Sequence, residues 1–137
     1  MVTITGEYQG QLHCTAVHGP SKVLLNTDAP TDNQGRGESF SPTDLVATAF
    51  ATCIATTMAI VARRHGVELD GFRYEVTKEM STDAPRRIAR LRVTIWLPAI
   101  ARKVPDGLLD HAAQHCPVHH SLAPTMEKIV EFQWADG

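Results

Sequence analysis

Ser41-Pro42-Thr43-Asp44-Leu45-Val46-Ala47-Thr48-Ala49-Phe50-Ala51-Thr52-Cys53-Ile54-Ala55-Thr56-Thr57-Met58-Ala59-Ile60-Val61-Ala62-Arg63-Arg64-His65-Gly66 is the stretch on which the fold turns. Ser41 reads as an N-cap and Pro42 as the first helical residue. Asp44 completes a capping box and favours the positive end of the dipole. Gly66 is a natural stop, so the pattern predicts a helix from 42 to about 65. Its first twenty residues carry one charge, Asp44. Apolar and small side chains surround the whole cylinder, and a helix apolar all round is a buried one. Arg63 and Arg64 mark its emergence into solvent.

Working outward, residues 3–8, 12–17 and 22–26 alternate like short strands, punctuated by Gln9-Gly10 and His18-Gly19-Pro20. Residues 28–37 form a polar loop without period, long enough to suggest a functional role. Beyond the helix, 72–80 and 88–97 read as a hairpin. Leu91, Val93, Ile95 and Leu97 alternate with Arg90, Arg92, Thr94 and Trp96, giving one buried and one wet face. Residues 105–115 have a helical pattern, a short helix can open at Cys116-Pro117, and 128–134 closes as a strand. The order β-β-β-α-β-β-α-β is an α+β arrangement.

At 137 residues the chain is expected to be one domain, 1–137. With 43% hydrophobic residues it is not of disordered composition. A formal net charge of -2 argues against nucleic acid as a partner. No charge-free run of 18 apolar residues is read, so no membrane span is expected. The N-terminal residues lack the basic start and apolar core of a signal peptide, which makes the cytoplasm the expected location. Three cysteines in such a chain do not read as a disulfide scaffold.

The chemistry-bearing residues each have a plain structural alternative. Cys53, mid-helix, is either a small core residue or a thiol needing a nearby cation to activate it. Cys116 precedes Pro117, so it caps a helix and its thiolate would sit at the positive end of a dipole. Cys14 reads as structural. His111, His115, Cys116, His119 and His120 cluster within ten residues and raise a metal alternative, but no second ligand pair accompanies them. The preferred reading has no metal and no cofactor. Arg36, between two glycines, could reach a thiolate, with Glu38 or Asp44 orienting it; a solvated loop charge is the alternative. Neither a phosphate loop nor a GxSxG elbow is present.

The helix start Ser39-Phe40-Ser41-Pro42-Thr43-Asp44-Leu45, the mid-helix Thr52-Cys53 and the distant His115-Cys116-Pro117-Val118-His119 together resemble the OsmC/Ohr family. These are the osmotically inducible and organic hydroperoxide resistance proteins. The resemblance runs over nearly the whole chain. It implies an intertwined homodimer around two long central helices, which would account for a helix apolar all round. It implies a thiol peroxidase acting on organic or hydrogen peroxide, with Cys53 peroxidatic and Cys116 resolving. A dithiol, such as a lipoyl group, would be the reductant. One departure stands out. The peroxidases of this family carry a glutamate after the proline, where this chain has Thr43; its acid, Asp44, is one residue on, rotated by about 100°. That departure keeps open a redox-sensing or small-ligand-binding protein of the same fold.

Overall fold

The computed structural model describes residues 1–135. The chain divides into two compact units, Met1–Val46 and Ala47–Gly137.

The first unit is an antiparallel meander of β1 (Ile4–Gly10), β2 (His13–His18) and β3 (Leu24–Asp28), in that order. The β1–β2 turn runs through Gln11 and Leu12, both at positive φ (54° and 62°). Two left-handed residues give the turn the twist that a tight hairpin needs, although neither is glycine. The third strand lies two residues further along than the sequence pattern suggested. It ends on Asp28, whose buried carboxylate accepts a 2.7 Å hydrogen bond from His13 Nδ1. A buried acid needs such a partner, and His13 across the ladder supplies it. The following loop is pinned at both ends. Asp28 N–H donates to the Phe40 carbonyl at 3.1 Å, and Ala29 N–H to that of Leu12 at 3.0 Å. Gly35 is required there, because a Cβ would run into the Ala29 carbonyl.

Helix α1 spans Pro42–Arg63. Its capping box is reciprocal: Ser41 N–H donates to Asp44 Oδ2 (2.9 Å) and Asp44 N–H to Ser41 Oγ (3.0 Å). At its far end Val67 N–H reaches the Ala62 carbonyl and Gly66 N–H that of Arg63, both at 3.0 Å. With Gly66 at φ 73°, this is a Schellman closure.

The helix's own chain covers one stripe of it, and its hydropathy exceeds the expectation that no membrane-length apolar run is present. Within one chain it is buried along one stripe (Ala47, Phe50, Ala51, Ile54, Met58, Ala62), while Ala49, Thr56 and Ile60 are exposed. Its 22 residues include an 18-residue window of mean hydropathy 2.0, which makes it long and apolar enough to cross a membrane. Its threonines are less polar than they look. Thr52 Oγ1, for example, donates to the Thr48 carbonyl one turn back, at 2.8 Å. The core helix of a soluble protein passes the same test of length and hydropathy.

In the second unit, β4 (Arg73–Met80), β5 (Ile88–Leu97) and β6 (Glu127–Trp134) form a sheet with β5 central. The first pair is antiparallel; β5 and β6 are parallel. Leu91, Val93 and Ile95 are fully buried, like Phe50, Ile54 and Met58 of α1. On the other face Arg90 bridges Glu79 (3.0 Å) and Glu127 (2.8 Å), and Arg92 bridges Glu131 (2.6 Å). These pairs are exposed and contribute little to stability. The crossover to β6 carries α2 (Leu108–Gln114) and α3 (Pro117–Ser121). The first starts at Leu108 rather than 105, because Gly107, at φ 85°, turns the chain into it.

Ile95→Ala should cost about 2–5 kcal/mol by loss of packing, and Ser41→Ala about 1 kcal/mol by loss of the cap. Both are readable by chemical denaturation.

Candidate active site: a thiol pair on α1 and α3

Cys116 is the N-cap of α3, with extended backbone (φ -71°, ψ 151°) and Pro117 as the first helical residue. The local sequence dictates this. Proline's fixed φ suits the first turn and its missing N–H costs nothing there. The Sγ accepts a hydrogen bond from the backbone N–H of His119 at 3.3 Å. The side chain is fully buried. Cys53 lies on α1 and is partly exposed; both cysteines are free thiols.

The two side chains interact directly. Burial pushes the Cys116 thiol up, and so do a hydrogen bond and a charge interaction with Cys53; the backbone N–H groups of His119 and Val118 pull it partway back. Cys116 therefore keeps its proton to a higher pH than an ordinary thiol, and can donate it to a negative charge on Cys53. A thiolate that accepts a hydrogen bond from a second thiol can later be joined to it as a disulfide.

His119 belongs to the same surroundings. Its ring packs against Phe50, centroid to centroid 5.8 Å, one turn before Cys53 on α1. Burial lowers its pKa first, followed by the charges of Lys128, His120 and His115. Among the described residues, His119 Nδ1 is the one buried side-chain polar atom without a hydrogen-bond partner. Sequence reasoning grouped His119 with its neighbours as a metal alternative and missed this. The signal that could have found it is position: the third residue after a capping cysteine sits on the first turn beside that sulfur.

The histidines do come together, but as ring contacts: His111 and His115 stacked, His115 and His120 tilted, His119 and His120 edge-on. His111 and His115 lie 4.2 Å apart, His115 and His120 5.4 Å, His119 and His120 5.9 Å. Among the described residues no group of three His, Cys, Asp or Glu side chains could hold a metal ion.

The other sequence candidates belong to the first unit. Asp44 closes the capping box. Thr43, at the position of the family glutamate, hydrogen-bonds with Ser41 Oγ at 3.2 Å. Arg36 and Glu38 line a polar cavity of about 630 Å³ together with His13, Asn26, Asp28 and Ser39. The His13–Asp28 pair in that cavity was not foreseen, because Asp28 read as a loop residue. Cys14 is half-buried on β2, paired with Tyr8 and Thr27.

A family model for OsmC-like proteins matches residues 35–130. A solved structure named for osmotic stress induction and a detoxification response, from Psychrobacter arcticus 273-4, is 39% identical. The match covers 97% of this chain and 96% of that one, with a TM-score of 0.86. An organic hydroperoxide resistance protein OsmC from Legionella pneumophila is 14% identical over 97% and 96% of the two chains, with a TM-score of 0.73. Another organic hydroperoxide resistance protein, from Elizabethkingia anophelis, is 13% identical over 98% and 96%, at 0.74. The last two show the fold alone. No functionally curated protein matches.

Because Cys53 holds the Cys116 proton in place, Cys53→Ala should lower the pH at which Cys116 ionises. Thiolate absorbance against pH reads this directly, and an unchanged or higher Cys116 pKa would contradict the assigned coupling.

Proposed function

This chain belongs to the OsmC-like protein family, and from that premise we propose that it is a thiol peroxidase working through Cys53 and Cys116. The observation that carries the reading is the pair of interacting free thiols, Cys53 partly exposed and Cys116 sealed. The names of the hydroperoxide resistance proteins that share its fold agree with it.

The reaction follows from the pair. The Cys53 thiolate attacks the distal peroxide oxygen, the O–O bond breaks, and its electrons leave on an alkoxide. That alkoxide takes the proton Cys116 has kept. The Cys116 thiolate then attacks the sulfenic sulfur of Cys53; the S–O bond breaks and hydroxide leaves, protonated by solvent to water. A dithiol reductant, such as a lipoyl group, restores both thiols by exchange and is itself oxidised to a disulfide.

The reading includes a homodimer. The uncovered stripe of α1, with Ala49, Thr56 and Ile60, is the surface that a second copy would bury. Shielding this stripe is favourable by roughly 25 cal/mol per Å².

Cys53→Ser should abolish hydroperoxide consumption. Cys116→Ser should allow one oxidation per chain and then stall, as followed by peroxide assay with a dithiol present. Wild-type turnover by Cys53→Ser would sink the mechanism. Light scattering should show two chains per particle, and Ile60→Glu should separate them; a wild-type monomer at micromolar concentration would contradict the dimer.

A further inference from the structure

We propose that His119 Nδ1 is the hydrogen-bond acceptor that holds the O–H of the hydroperoxide against Cys53, making His119 a substrate-orienting residue. The assignment rests on the thiol peroxidase reading and names the group that positions its substrate.

Three geometric observations converge on it. The backbone N–H of His119 bonds Cys116 Sγ at 3.3 Å, which places the residue on the turn beside that sulfur. Its ring is packed on Phe50, one helical turn from Cys53. Its Nδ1 is shielded from solvent and has no partner. A buried polar atom left unpaired costs free energy, so one that persists marks a place where something else completes the bond. A neutral imidazole with its proton on Nε2 presents a lone pair at Nδ1, and burial together with Lys128, His120 and His115 holds the ring neutral.

The chemistry suits a hydroperoxide. Its O–H lies on the distal oxygen, the atom attacked by sulfur, so an acceptor for that hydrogen aims the reacting atom. The hydrogen stays on this oxygen as the S–O bond forms, and His119 goes on accepting from the sulfenic O–H. When Cys116 displaces that oxygen, the acceptor releases it as hydroxide, which solvent protonates.

Reduced wild type, His119→Leu and His119→Asn are mixed with cumene hydroperoxide, and the rate of Cys53 oxidation is read by quench and thiol counting. A parallel series uses methyl methanethiosulfonate, a thiol reagent without an O–H. Asparagine places a polar atom near the position of Nδ1, and leucine does not. The expected result is a fall of about tenfold to a hundredfold in the hydroperoxide rate for His119→Leu. His119→Asn should recover most of it, and all three proteins should react alike with the thiosulfonate. Equal hydroperoxide rates in wild type and His119→Leu would overturn the assignment. So would an equal loss towards both reagents, which would mean disturbed thiols, or a failure of asparagine to rescue. If wild-type Cys53 is inert to hydroperoxide while reacting with thiosulfonate, the peroxidase reading fails and takes this assignment with it.

Discussion

The parallel pairing of β5 with β6 is the constraint from which the second unit follows. Two parallel neighbours cannot be joined by a tight turn; the chain must cross over and return. Here the crossover runs from Pro98 to Met126 and carries α2 and α3. Pro117 fixes where α3 begins, which makes the residue before it the cap. That residue is Cys116, and its sulfur meets Cys53 of α1. A sheet topology thus becomes a pair of interacting thiols 63 residues apart in sequence.

Burial then divides labour between two chemically identical groups. Desolvation disfavours a thiolate, so the sealed sulfur holds its proton. Two backbone N–H groups at the start of α3 oppose this without cancelling it. In the proposed chemistry the inequality is useful. One sulfur reacts with substrate, while the other keeps a proton for the leaving group and becomes a nucleophile only after giving it up. In the proposed chemistry, the unpartnered Nδ1 of His119 on the same turn adds direction to the charge.

Much of this was legible before the structure. The Ser41–Asp44 box and Gly66 bracketed α1 because caps are local chemistry, satisfied within a few residues of sequence. The alternation along β5 was readable because one face is buried and the other wet. Cys116 as a cap followed from the proline after it. What was not legible depended on partners distant in sequence. Asp28 read as loop because nothing local reveals that His13 sits opposite it. The burial of α1 on one stripe could not be told from burial all round, since its exposed face is also apolar. The histidines read as solvent-facing or pocket-lining, with a metal as the alternative, because spacing shows proximity but not orientation; the rings of His111 and His115 stack. Arg36 and Glu38, read as a guanidinium and its orienting acid for the thiolate, line a cavity in the first unit together.

The most direct test is intact-protein mass spectrometry with thiol counting after one equivalent of cumene hydroperoxide. The account predicts loss of two thiols per chain, with Cys53 and Cys116 joined in the peptide map and Cys14 untouched. Both thiols still free, or oxidation confined to Cys14, would contradict it.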